Sequence, residues 1–394
     1  MTEPGTYLFY TLLMVFMIAL SRPSARPTLD ASGEQVSFPS YWGPNLLFTI
    51  VLYSFIIGGR YYVGIDYKAY LEWYLKLRET GVYPRDIEFG YQLLNEWLNA
   101  VHAHFAFLFI VIAFVQITLF YKALERFPFI APWFIFFFFT SLLMFSSMNI
   151  MRQTLAWFVL FYALNLAFEK KYWWALLWLL FGFSFHKSIV VGAAFFPLLC
   201  WDWFKNRYLQ ISLLLVVTAF APAILTLALN LTAPIVSLTG YDYYVENLDY
   251  MQEIGDEGKV GAGTARILFF TLDAIIIWFS ADLKENFKEY NFYKYYNLYF
   301  LGALLERLVY DNFILARTND YLLNFRVVIL SFLCFFFFNS RSQKLVKSVL
   351  GYTIILMMTA FFYRAIYNAA AESSPFRFIF FENKIQDRTQ GFEE

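Results

Sequence analysis

Apolar stretches of roughly 14 to 20 residues follow one another along the whole chain, each near the length that crosses a hydrocarbon core of about 30 Å. The pattern predicts about twelve spans, within a range of roughly ten to fourteen. They run 6–20, 44–58, 104–121, 128–147, 153–168, 172–186, 188–201, 210–230, 266–281, 294–310, 321–338 and 346–363. Polar residues around His186 set the break between the sixth and seventh. The implied fold class is all-α: a polytopic transmembrane helix bundle, read as a single integral membrane domain over 1–394.

Lys and Arg concentrate in alternate loops, which the positive-inside rule places in the cytoplasm. These loops carry Arg22 and Arg26, Lys122 and Arg126, Lys170 and Lys171, Lys205 and Arg207, Lys284, Lys288 and Lys294, then Arg341, Lys344 and Lys347. The intervening segments 59–103, 146–152, 231–265 and 311–320 then face outward, as does the N-terminus. The first apolar run has no basic n-region and no small-residue cleavage site, so it reads as a retained span. Within the large outer loop 59–103, Tyr67, Tyr70, Leu71, Tyr74 and Leu75 recur at helical spacing. This predicts an amphipathic helix at the interface over 66–80, with a second from about Ile87 to His102. The second outer loop, 231–265, contains an acidic, tyrosine-rich stretch, 241–258, that reads as a lid or a carbohydrate-contacting loop.

Composition agrees with the pattern and removes several classes of function. Of 394 residues, 60% are hydrophobic, 23% aromatic and 15% charged, far from soluble norms. Thirty basic residues balance thirty acidic ones, leaving no electrostatic footprint for nucleic acid. Cys200 and Cys334 make neither a disulfide framework nor a metal site. His102 and His104 point to different helix faces and His186 is remote, so no metal or other cofactor is implied. Phenylalanine runs such as Phe134–Phe139 and Phe335–Phe338 read as lipid-facing bulk. There is no periodic repeat.

Ionisable residues beside apolar runs are the candidates for chemistry, because their burial in a membrane is costly and usually serves a cavity. Arg60 stands after the second span and Asp66 lies among tyrosines in Gly58-Gly59-Arg60-Tyr61-Tyr62-Val63-Gly64-Ile65-Asp66-Tyr67. Arg152 and Gln153 open the fifth span, His186 and Lys187 interrupt an apolar stretch, and Arg317 precedes Asp320 and Tyr321. The topology puts all of them on the outer side, where the positive-inside rule predicts few cations. The plainer reading is that an Arg or Lys at a span end snorkels as an anchor, and that Asp66 pairs with Arg60 or Lys68. Guanidinium forks grip diphosphate oxygens in bidentate fashion and stay charged at any relevant pH. Asp66, Glu88 and His186 are the available general bases for a sugar hydroxyl.

Four motifs in order carry a family resemblance: Gly59-Arg60-Tyr61 with Gly64-x-Asp66-Tyr67 and Tyr70, then Glu88-x-Gly90-Tyr91, Arg152-Gln153, and Phe185-His186-Lys187-Ser188. Together they resemble the EpsG family of membrane proteins, grouped with Wzy-type polymerases of exopolysaccharide, capsule and O-antigen. The likeness covers about residues 45–200, with Arg317-x-x-x-Tyr321 beyond, and departs in having Phe89 where the family pattern has proline. It implies a metal-independent glycosyltransferase at the outer face of a bacterial inner membrane, needing no cofactor, that moves a growing glycan from polyprenyl diphosphate onto a new lipid-linked repeat unit. On that resemblance Arg152 and Arg317, with Arg60 as a further candidate, hold the donor diphosphate beside Gln153 and Lys187. His186 or Asp66 is the catalytic base, and Glu88, Tyr67 and Tyr91 orient sugars. Its partners would be a polyprenyl-diphosphate-linked oligosaccharide, membrane lipid, a flippase and a chain-length regulator.

Three other readings stay open from sequence. An O-antigen-ligase-like transferase needs the same diphosphate grip and differs in its acceptor. A lipid-linked sugar transporter or flippase predicts an internal repeat and charges near the midplane. A structural subunit of an envelope assembly would not need Arg60, Arg152, His186 or Arg317 for turnover.

Overall fold

A computed structural model describes residues 4–21, 28–29, 35–37, 41–83, 87–227, 262–310, 312–340 and 342–381. The chain forms two compact units, one of residues 1–189 with 358–394 and one of residues 190–357. The acidic 241–258 stretch lies outside the described residues.

The first unit contains helices α1 (Pro4–Ser21), α2 (Pro44–Gly58), α3 (Tyr67–Thr80), α4 (Phe89–Ala100), α5 (Ala106–Leu124), α6 (Ala131–Thr140), α7 (Leu143–Asn149), α8 (Met151–Phe168) and α9 (Tyr172–Phe185). Pro44 at the first position of α2 fixes a helical φ where no intrahelical donor is needed. Gly81 ends α3 in the left-handed region, φ 69°, as helix C-termini commonly require. Helices α2 and α5 meet at backbone distance: a Cβ on Gly58 would stand 2.3 Å from Ile110 Cα. Such close approach is how small residues join helices in membranes.

Among the described residues, four helices are long and apolar enough to cross a membrane, namely Pro4–Ser21, Ala106–Leu124, Leu315–Asn339 and Lys344–Tyr367, and three bent pairs raise the figure to seven. The expected twelve spans are therefore not confirmed. Chain breaks account for much of the difference. Leu142 adopts φ 67° between α6 and α7, where the run 128–147 bends by 62°. Pro44–Gly58 and Tyr172–Phe185 are apolar but short, and 15 residues of helix reach only about 22 Å. The expected span 188–201 is no continuous helix: Ile189–Ala194 gives way to a 3₁₀ turn, Phe196–Leu199, that contains Pro197.

The phenylalanine run of α6 corrects the sequence reading. Phe134, Phe137 and Phe139 are fully buried rather than lipid-facing. Phe134 packs edge-on to Phe120 at 4.9 Å and stacks with Phe161 at 5.9 Å. Both helices expected in the outer loop are present. The Tyr67, Tyr70, Leu71, Tyr74 and Leu77 stripe of α3 is buried against protein, and Tyr74 donates to the Ala103 carbonyl at 2.8 Å. On α4 the opposite holds for one face, where Phe89, Leu93 and Trp97 stand exposed at i, i+4 and i+8, a stripe suited to lipid contact.

The second unit includes helices Ala262–Trp278, Phe292–Val309, Phe313–Leu323 and Phe325–Asn339. Gly302 lets Phe292–Val309 lie against the end of Phe313–Leu323, since a Cβ there would meet Leu323 N at 2.6 Å. Asn319 donates to the Gly302 carbonyl at 2.9 Å across that contact.

Candidate functional site

Three helix ends of the first unit converge on one carboxylate. Glu88 is the N-cap residue of α4, with extended backbone, yet its side chain makes no capping bond. It reaches instead to two other elements. Oε2 accepts from Arg152, in the first turn of α8. Oε1 lies 3.0 Å from Nδ1 of His186, the C-cap of α9, and accepts from the Lys187 backbone N–H at 3.4 Å. The site is assembled by close packing of α4 on α9: a Cβ on Gly90 would stand 2.3 Å from Ser184 Oγ, so only glycine admits this approach.

The electrostatics follow from these placements. A cation at a helix N-terminus opposes the helix dipole, and Glu88 compensates Arg152 there. Burial pushes the Glu88 carboxyl up, but the hydrogen bond from His186 and the charge of Arg152 outweigh it and hold the group at about 2. Glu88 is therefore ionised throughout the physiological range. The Arg152 guanidinium also lies over the rings of Tyr91 at 5.2 Å, Trp73 at 5.8 Å and Tyr70 at 5.9 Å, within cation–π range. Its Nε–H is buried without an acceptor. The arrangement offers a guanidinium with an unmatched donor, a neighbouring imidazole oriented by a carboxylate, and an aromatic wall.

Of the residues chosen from sequence, the structure joins Glu88, Arg152, His186, Lys187 and Tyr91. Gln153 follows Arg152 on α8 and is buried. The Lys187 side chain is exposed. Arg60 is placed differently. It is 2% exposed, with Nε, Nη1 and Nη2 donating to the carbonyls of Val63, Ile57 and Met148 at 3.2, 2.9 and 2.7 Å. The strand-like pairing of Gly59–Tyr61 with Arg377–Ile379 closes over it. This placement does not present the guanidinium to a ligand; it staples the turn after α2 to the end of α7. Tyr67, expected to orient sugar, is fully buried and stacks on Phe109 at 4.6 Å. Asp66 stands at the N-cap position of α3 with no side-chain capping bond, half-buried, and its backbone N–H donates to Asn149 Oδ1 at 2.9 Å. Arg317 lies in the second unit, one turn before Asp320 on Phe313–Leu323.

The second unit holds a polar cluster that the sequence reading passed over. Asp273, fully buried, accepts from Tyr299 Oη at 2.8 Å, from Arg326 Nε and Nη2 at 3.0 and 2.9 Å, and from Arg307 Nη2 at 2.6 Å. Arg326 also pairs with Glu306 through Nη1 at 3.2 Å and Nη2 at 2.5 Å. Two cations thus balance two anions across three helices. The signal was present in the chain, since Asp273 and Arg326 both fall inside predicted spans, where any charge is a candidate for function.

Among the described residues, no group of three or more His, Cys, Asp or Glu side chains is placed to hold a metal ion. Residues 45–378 match the family model described as EpsG family. No curated protein and no solved structure matches the sequence.

Proposed function

The chain belongs to the EpsG family, and we propose on that premise that it is a polysaccharide polymerase, a glycosyltransferase whose donor is a glycan on polyprenyl diphosphate. The reading extends to a bacterial inner membrane, with the Glu88–Arg152–His186 site facing the exterior.

The observation that carries it is the convergence of Arg152 and His186 on Glu88 at three helix ends. In the reaction an acceptor sugar hydroxyl attacks the anomeric carbon of the donor glycan. The new C–O bond forms as the bond from that carbon to the diphosphate breaks, and polyprenyl diphosphate leaves with the bonding electrons. Arg152 compensates the charge that grows on the leaving group, aided by the N-terminus of α8. His186 takes the hydroxyl proton on Nε2. Glu88 is its positioning residue: accepting from Nδ1 selects the tautomer in which Nε2 carries the lone pair, as in other carboxylate–histidine pairs. The aromatic wall of Tyr70, Trp73 and Tyr91 holds the guanidinium in place.

The test is incubation of the purified protein in lipid with its polyprenyl-diphosphate-linked repeat unit, with and without added divalent cation, beside Arg152→Ala. The expected product is a ladder of one-repeat steps that the variant lacks. Substrate carried across the bilayer with no ladder would replace the polymerase with a transporter. Transfer of whole glycan to a different acceptor would replace it with a ligase.

A further inference from the structure

A charged cavity lies in the first unit, built at the opposite end of α8 from Arg152. Its volume is about 350 Å³ and it is lined by Lys122, Glu125, Arg126, Tyr162, Asn165, Leu166, Glu169 and Lys171. That volume falls in the range of sites that hold small ligands. Its walls are fixed by packing: Asn165 Nδ2 donates to the Ala123 carbonyl at 2.6 Å, joining α8 to α5. Beneath it Ala163 and Leu166 pack against Ala175 of α9.

Charge balance defines what it would take. Lys122 pairs with Glu125 at 2.7 Å and Lys171 with Glu169 at 2.8 Å, so both carboxylates already have a close ammonium. Arg126 stands apart. Its nearest contact with Glu169 is 3.9 Å, past hydrogen-bond length, and its Nε–H is buried without an acceptor. Its side chain is 17% exposed, against 37–56% for the Lys and Glu side chains around it. The exposed pairs are screened by solvent; the sheltered guanidinium is not. Among the described residues the cavity therefore carries one uncompensated positive charge, with a donor edge that suits a phosphate oxygen. A singly charged anion would neutralise it, and a dianion would overshoot.

We infer that this cavity is a binding site for a phosphodiester, supplied by the head group of an anionic phospholipid, with Arg126 as the principal contact and Lys122 and Lys171 at its rim. One sequence feature and one contact agree with a lipid source. The loops bearing Lys122, Arg126, Lys170 and Lys171 read as cytoplasmic, and basic pockets between helices on that side are where lipid phosphates bind. Lys122 also lies over the Trp42 ring at 5.1 Å, and tryptophan favours the head-group level.

The experiment adds phosphatidylglycerol to delipidated protein in a neutral detergent and counts retained lipid by native mass spectrometry, with inorganic phosphate followed separately by ³¹P line broadening. The wild type should hold one phosphatidylglycerol. Arg126→Gln should weaken that binding by roughly tenfold or more. Glu169→Gln, which removes a competing negative charge, should tighten it. These opposite signs separate recognition from loss of folding, and Glu169→Gln alone decides the matter if the arginine variant does not fold. The same pattern with inorganic phosphate but not with lipid keeps the anion site and makes its ligand a free phosphate. Equal binding by wild type and Glu169→Gln overturns the inference, as does equal retention of zwitterionic phosphatidylethanolamine.

Discussion

Replacing Asp273 by Asn removes one charge from the buried network while keeping the shape of the side chain. The carboxylate accepts from Tyr299, Arg307 and Arg326 and is fully buried. Without it, two guanidiniums face Glu306 alone, and the amide turns a donor toward other donors. Removing one partner of a buried ion pair costs about 3–5 kcal/mol. At about 1.4 kcal/mol per factor of ten, that raises the opening constant by more than roughly a hundredfold. The chain supplies its own reporter. Cys334 is buried on Phe325–Asn339, the helix that carries Arg326, while Cys200 is exposed. In a Cys200→Ser background, maleimide labelling of Cys334 measures opening of this helix. Labelling should accelerate by about two orders of magnitude in Asp273→Asn. Adding Arg307→Met restores charge balance and should recover more than half of the loss. A rate within about threefold of wild type, or a double variant as labile as the single, would refute the account of the network as a charge-balanced brace.

Three further outcomes follow from the first unit. Glu88→Gln should lower kcat by about a hundredfold; because the chain has three histidines, ¹⁵N spectra can also be read for His186, which should lose its single Nδ1–H tautomer in the variant and regain it in Glu88→Asp. The Glu88 carboxyl is held at about 2 against an ordinary 4.5, a depressed folded-state value. Its contribution to stability is therefore complete above 4.5 and fades as pH falls from there through 2. The difference in Tm between wild type and Glu88→Gln should hold from neutral pH to about 4.5 and shrink below it, and a difference that disappears by pH 6 contradicts the pairing. Arg60→Lys should cost about 1.5–3 kcal/mol of stability while leaving pyrophosphate affinity per folded molecule within about twofold; a large affinity loss in a stable variant would return Arg60 to the ligand site.

The apolar runs made most helices legible, because length and composition suffice to recognise a buried helix. They did not reveal where a run breaks. The bend at Leu142 depends on a left-handed backbone that no residue type there demands, so 128–147 looked continuous. The site divided in the same way. Glu88, Arg152 and His186 stood out as polar interruptions, and the interruptions proved to be the helix ends that meet. The role of Arg60 was hidden because its partners are main-chain carbonyls of Ile57, Val63 and Met148, and carbonyls have no letter in a sequence. A cation satisfied by backbone and one awaiting a ligand look alike from the chain. Trp73 was concealed among many aromatics, and its place over Arg152 follows from the rotation of α3.

The pairing of α4 with α9 through Gly90 and Ser184 also bears on how this family can vary in length. Glu88 and His186 occupy opposite kinds of helix terminus, and their separation is set by the phase of two helices rather than by a loop that can adjust. One residue inserted within α9 would turn His186 by about 100° around the helix axis and advance it about 1.5 Å, carrying the imidazole off the carboxylate. The same insertion near His102, in the connection between α4 and α5, leaves that phase untouched. Length changes across related chains should therefore gather in connections such as 101–105 and be absent from 172–186, so a record of gaps alone, read without any substitution, would trace the outline of the site.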